Sequence, residues 1–223
     1  MKKKILIIAP HADDETLGCG GTILKHKDVG DEVHYLLISE LEENKGNEIK
    51  KKSYEIQISK MIKFYNFKSS NRLKLFASKL DSYSISYVIE KIQNILKKVK
   101  PDTIYLPFSG DIHSDHNIVF KASLASAKWF RSPSVKEILL YETISETNLS
   151  IDPNEFSFKP NLYKNITKFL NMKLKALDIY KTEIRRHPFP RSKDAIKSLA
   201  ILRGSEAGFK YAESFILIKK IEK

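Results

Sequence analysis

Between Pro10 and Glu15 the chain crowds one histidine and three carboxylates into Pro10-His11-Ala12-Asp13-Asp14-Glu15, and a second cluster reads His113-Ser114-Asp115-His116. A divalent-metal hydrolase needs about three protein ligands and an open position for water. It also needs a general base beside that water. His11 and Asp14 are three apart on a tight turn and can point to one place, and His116 can supply a third ligand from a neighbouring strand end. Two histidines and one carboxylate suit Zn2+, and also Fe2+. Asp13 is then left unligated beside the metal, suited to take a proton from water. His113, three residues before His116, can face the substrate from the other side; as a cation it would stabilise an oxyanion or protonate a leaving amine. Asp115 is placed to orient His113 or His116.

Each residue has a plainer reading. Asp13 or Asp14 could cap the helix opening at Thr16, and Asp115 could cap the helix that follows it. A lone histidine is more often structural than a ligand. Two such clusters, each after an apolar run, favour the metal site. His26 falls on a polar helix position and His34 inside a strand, so both read as structural. Cys19 sits in a Gly-rich helix start and reads as a buried thiol rather than a nucleophile.

The elements that must carry these residues alternate along the chain. Apolar runs predict strands over residues 2–9, 32–39, 74–77, 103–107, 135–142 and 213–221. Helical spacing predicts helices over 16–27, 48–64, 84–99, 116–130, 167–185 and 192–202. Gly18, Gly20 and Gly21 would let the first helix approach the sheet closely. Residues 40–47 and 143–159 read as polar loops, the second long enough to act as a lid. Residues 187–191 (His-Pro-Phe-Pro-Arg) form a proline-held loop. The alternation predicts an α/β fold, with a mainly parallel sheet covered by helices on both faces. Both clusters would then lie at carboxyl ends of strands, where open α/β sheets bind ligands. Arg191, Arg203 and His187 are candidate substrate contacts, as are Tyr141 and Glu142 at the end of a strand. Arg203 and Arg191 could equally fix a loop or pair with a carboxylate such as Glu206 or Glu213.

Composition narrows the classes. The 223 residues, 42% hydrophobic and 30% charged, suffice for one α/β domain spanning 1–223. No apolar run approaches the ~20 residues that span a bilayer. Met1-Lys2-Lys3-Lys4 imitates the start of a signal peptide, but the apolar run after it is too short, so a cytoplasmic protein is expected. The single cysteine excludes an internal disulfide. The net charge of +12 raises a nucleic-acid reading. It is mostly spread lysine, whereas arginine dominates specific base and phosphate contacts. A lysine-rich solvated surface is the better account, and an anionic small-molecule substrate a milder use of the same field. Small α/β enzymes often form symmetric homo-oligomers.

At these residues the chain resembles the LmbE-like (PIG-L) N-acetylglucosamine de-N-acetylases. Pro10–Glu15 with Leu17-Gly18-Cys19-Gly20-Gly21-Thr22 is similar to the family's first signature, and His113–His116 to its His-x-Asp-His. Arg203-Gly204-Ser205-Glu206-Ala207-Gly208 with Tyr211-Ala212-Glu213-Ser214-Phe215 is similar to a family ending. The resemblance implies a Rossmann-like three-layer sandwich and a zinc-dependent hydrolase of N-acyl amino sugars. It implies His11, Asp14 and His116 as ligands, Asp13 as general base and His113 as its electrophilic or acid partner. Where many members carry an arginine after the second strand, this chain offers Lys50, Lys51 and Lys52. Rival readings are a receiver domain, with Asp81 the nearest phosphoacceptor, a non-haem iron oxygenase and a basic nucleic-acid binder.

Overall fold

The computed structural model describes residues 2–41, 48–150 and 157–222. Among these residues seven strands form one sheet: β1 (Lys4–Ala9), β2 (Glu32–Glu40), β3 (Ser69–Phe76), β4 (Thr103–Pro107), β5 (Glu137–Tyr141), β6 (Leu162–Asn165) and β7 (Ala212–Lys220). Their spatial order is β3-β2-β1-β4-β5-β7-β6. The first five pair in parallel, and β7 runs antiparallel between β5 and β6. Among the described residues six α-helices accompany them: α1 (Asp14–Asp28), α2 (Glu48–Tyr65), α3 (Ile85–Val99), α4 (Ser114–Ser126), α5 (Leu170–Ala176) and α6 (Lys193–Ser205). The expected α/β class holds, with the sheet mainly parallel.

Side chains of a strand alternate between its two faces, and this chain fills both. Ile5, Ile7 and Ala9 join Tyr35, Leu37 and Tyr105 in a core with Cys19 and Ile23 of α1 and Ile58 and Met61 of α2. Leu6 and Ile8 join Leu36, Ile104 and Leu140 in a second core with Val88, Ile92 and Leu96 of α3 and Val119 of α4. The continuous apolar run of β1 is thus that of a strand buried on both sides. Because β2 and β3 extend the sheet to one side of β1 while β4 and β5 extend it to the other, the crevice between β1 and β4 is the topological switch point. Both His/Asp clusters follow those two strands.

Several boundaries differ from the sequence reading. The short strand at 74–77 is eight residues long, Ser69–Phe76, because it pairs along β2. The helix expected over 167–185 is only Leu170–Ala176, followed by a 3-10 turn at Leu177–Ile179. There the Tyr180 hydroxyl is drawn into the core, donating to Glu15 Oε1 at 2.6 Å. The four-residue edge strand β6 went unforeseen. The helix expected over 116–130 starts at Ser114 and stops at Ser126, where Ser132 Oγ donates to the Ser126 carbonyl. The polar stretch 40–47 falls mostly on 42–47, outside the described residues, as do 151–156 of the expected lid. Asp81 lies exposed in a 3-10 turn, not at a strand end as a receiver domain requires.

Candidate metal-centred active site

The turn from β1 into α1 is built around Asp13, whose φ of 136° is unfavourable for a residue with a side chain. Its neighbours over-determine it. The Asp13 carbonyl accepts from the N–H groups of Thr16 and Leu17. Its own N–H donates to Glu15 Oε2, a carboxylate fully buried beneath the turn and held by Tyr35, Tyr180 and Thr16 hydroxyls. Glu15 thus anchors the turn from below, while Asp13 and Asp14 face the cleft. Gly18 is required one turn on: a Cβ there would lie 2.4 Å from the ring of Tyr141.

The structure brings His11, Asp14 and His116 together. One donor atom from each lies within 4.8 Å of the others. His116 Nδ1 donates to Asp111 Oδ2 at 2.7 Å. Its Nε2, buried 3.3 Å from Asp14 Oδ2, makes no hydrogen bond. His11 Nε2 is engaged by Asp115 Oδ2 at 2.9 Å, which leaves Nδ1 facing Asp14 Oδ2 at 3.4 Å. Burial opposes charge on both rings. The carboxylates of Asp115 and Asp14 outweigh it at His11, raising its pKa to about 9. Those of Asp14 and Asp111 do the same at His116, raising it to about 10. Burial likewise opposes charge on Asp14, but His116 and His11 hold that carboxyl far below the usual range. Such a field attracts cations. An orphaned imidazole nitrogen, a second imidazole nitrogen and a carboxylate facing one point fit a divalent metal ion such as zinc.

A second group, His11, His113 and Asp115, is also close-set among the described residues. Its atoms are already committed. Asp115 accepts from His11 and from the N–H groups of Ser78 and Leu80. Asp115 N–H donates to His113 Nδ1 at 3.1 Å. This corrects two expectations. Asp115 orients His11, not His113 or His116, and it is not the cap of α4; His113 is, through its ring. At His113, Nδ1 accepts a hydrogen bond, and burial, then His11 and His116, lower the ring's pKa; both features favour an N–H donor on Nε2 over a cationic ring.

Asp13 lines the cleft beside the three donors but belongs to neither group. Burial, then the charge of Asp14, push its carboxyl well above the usual range. Arg191 Nη1 meets its Oδ2 at 3.0 Å and pulls the other way. The cleft holds about 710 Å3, and Tyr54, Lys50, Glu146 and Arg185 extend its walls. Of the five other proposed contacts, only Arg191 lines it. Tyr141 is fully buried, its hydroxyl donating to the Ile8 carbonyl. Glu142 is spent on a bidentate pair with Arg203 and on Ser214, tying β5 to α6 and β7. His187 stands exposed before a cis proline outside the cleft lining.

Sequence reasoning missed Asp111, a lone acid in a loop whose only signal was its place five residues before His116. It also missed a buried pair, Lys173–Glu213 at 2.7 Å, set into the backbone ladder of α1. Lys173 Nζ donates to the Leu17 carbonyl, and Gly21 and Thr22 N–H donate to Glu213.

A family model described as PIG-L, GlcNAc-PI de-N-acetylase, matches residues 6–127, which include both clusters. The chain is similar to the diacetylchitobiose deacetylase of Thermococcus kodakarensis, at 23% identity over 98% of this chain and 84% of that one. Its fold is similar to that of the N,N'-diacetylchitobiose deacetylase from Pyrococcus horikoshii, with a TM-score of 0.78 and 23% identity over 97% of this chain and 84% of that one. It is also similar in fold to the 4-carboxy-2-hydroxymuconate hydratase GalB from Pseudomonas putida, with a TM-score of 0.74 and 14% identity over 100% and 98% of the two chains. These structural likenesses establish the fold, which by itself does not choose a reaction.

Proposed function

Since the chain belongs to the GlcNAc-PI de-N-acetylase (PIG-L) family, we propose that it is a zinc-dependent deacetylase. It would hydrolyse the N-acetyl group of an N-acetylglucosamine-type amino sugar to acetate and a free amine. The observation that carries this reading is the convergence of His11, Asp14 and His116, with an unpartnered Nε2 on His116 and a separate carboxylate, Asp13, beside them. The deacetylase from Thermococcus, matching nearly the whole chain, supports the sugar substrate.

His11, Asp14 and His116 would hold the ion, with Asp115 and Asp111 fixing the two rings. Bound there, a divalent ion supplies Lewis acidity, lowering the pKa of water from 15.7 towards about 7. Asp13 takes the proton of the attacking water; a carboxyl group whose pKa burial and Asp14 raise above the usual range holds a proton better than a free aspartate does. Arg191 holds the Asp13 oxygen in place. As the amide carbon becomes tetrahedral, His113 offers its Nε2–H to the developing oxyanion, a contribution of about 3 kcal/mol if it resembles other single donors. Asp13, which has taken the proton of the water, returns it to the departing nitrogen as the C–N bond breaks. Glu146 and Tyr54 wall the space for the sugar ring. The substrate is a small molecule, the chain acts as one domain, and a cytoplasmic setting suits its aqueous cleft.

The test is a screen of zinc-loaded protein against diacetylchitobiose, UDP-N-acetylglucosamine and N-acetylglucosaminyl-malate, reading new primary amine. Stoichiometric amine and acetate from at least one of them is expected. Release from none, with the metal bound, would count against the sugar substrate.

A further inference from the structure

α4 starts beside His113 at the cleft and carries the chain to the opposite end of the sheet, a run of about 20 Å for its 13 residues. Just past its end stand Trp129 and Phe130, 68% and 62% exposed, packed edge to face with centroids 5.8 Å apart. They rim an apolar groove of about 490 Å3, with Leu124 and Ile138 among its walls. Around the aromatic pair stand Lys121, Lys128 and Arg131, all exposed. Lys219 of β7 joins them, its ammonium on the Ala127 carbonyl. Between Asp115 and Glu137 the chain carries no carboxylate. Glu137 itself is engaged by Lys3 and Thr103.

We propose that this face docks the protein, peripherally and reversibly, on a bilayer surface containing anionic phospholipid. Tryptophan favours the boundary between headgroups and acyl chains. Lysine and arginine around such an aromatic wedge are drawn to anionic lipid. The alternative occupant, a second copy of this chain, fits poorly. A two-fold contact would set these cations against their own copies, in a chain already at +12. Lysine is also depleted from protein interfaces. No described helix is long and apolar enough to cross a membrane, so the attachment is a surface one. Docked this way, the enzyme turns its cleft away from the bilayer, towards substrate in the aqueous phase.

Trp129 is the only tryptophan in the chain and reports on its own surroundings. Full-length protein is mixed with vesicles of phosphatidylcholine alone, or of phosphatidylcholine with phosphatidylglycerol. Co-sedimentation with the anionic vesicles only, a blue shift of Trp129 emission and release by high salt are expected. K128Q/R131Q should lower partitioning roughly 25-fold, about fivefold for each charge removed. F130S should weaken binding while keeping the fluorescent reporter. Neither variant should change turnover of a soluble substrate, since both lie far from the cleft. Equal binding to neutral vesicles, no binding, or undiminished binding by the variants would overturn the proposal. A concentration-dependent dimer without vesicles, abolished by F130S, would also overturn it and assign the face to a second copy.

Discussion

Arg191 Nη1 lies 3.0 Å from Asp13 Oδ2, joining the loop before α6 to the turn after β1 across 178 positions of chain. The contact sets the larger of two cationic influences on the buried Asp13 carboxyl, ahead of His11, against the opposing effects of burial and of Asp14. It fixes one oxygen of the proposed base, whose residue lines the cleft. Arg191→Gln should therefore lower kcat by about 100-fold, the scale of a misplaced catalytic group. Metal content should not change. Arg191→Lys should recover part of the loss, because the charge survives but the planar fork does not. Equal kcat in the Gln variant and the parent would remove this role.

His116 depends on Asp111 in the same way that His11 depends on Asp115. Asp111 Oδ2 accepts the Nδ1–H hydrogen bond of His116, and its Oδ1 accepts from Thr147 Oγ1 at 2.5 Å. Asp111→Asn should weaken zinc binding roughly 10- to 100-fold, the usual effect of losing a carboxylate behind a histidine ligand. Competition with a chelating dye measures it. Asp115→Asn should act similarly through His11, and unaltered affinity in both would mean that the rings are held by other means.

The fold and the main cluster were readable because they rest on local signals. β1 and β4 are continuous apolar runs, and His11 to Asp14 and His113 to His116 each fit within one turn. What sequence could not supply was the partner of each polar group. Asp115 sits next to His113 and His116 in the chain, yet its side chain crosses to His11, because the first turn of α4 aims it at β1 and at the Ser78 backbone. Arg203 and Arg191 read alike in the sequence, each a substrate contact or the partner of a carboxylate. Glu142 neutralises one against the sheet, while only the other reaches the cleft. β6 is four half-buried residues whose pairing depends wholly on β7. The helix after it ends early because Tyr180 is needed under Glu15, a tertiary demand that apolar spacing does not encode.

Lys173 and Glu213 are both almost wholly buried, and between them they satisfy Leu17, Gly21 and Thr22 in the backbone of α1. Removing one partner of such a pair leaves a buried charge. Lys173→Met should destabilise the protein by about 3–5 kcal/mol, read by urea denaturation. Lys173→Met with Glu213→Gln should be less damaging than the single change. A single variant as stable as the parent would show that the pair contributes little.

His26 provides a pH test independent of the metal site. Its Nδ1 meets Asp31 at 2.7 Å and its Nε2 the Tyr105 hydroxyl at 2.9 Å. Burial, then Lys164, lower its pKa from 6.5 to about 4 despite Asp31. Above pH 6.5 the ring is neutral in both states, and its full share of stability is present. As the pH falls from 6.5 towards 4 the unfolded chain takes up the proton first, so stability drops, by up to roughly 3 kcal/mol. Below about 4 the loss levels off. Denaturation of the parent and of His26→Asn at pH 7 and pH 5 should show a steeper acid loss in the parent. Parallel losses would refute the assignment.

The most direct measurement takes zinc-loaded Asp13→Asn and determines metal content and acetate release on the same sample, with a substrate that the parent turns over. The account predicts one metal ion per chain, as in the parent, and a fall in turnover of about 10²- to 10⁴-fold, the usual contribution of a positioned base. Parental turnover, or loss of the ion with the Asp13 carboxylate, would contradict the division of labour between Asp13 and the His11, Asp14 and His116 site.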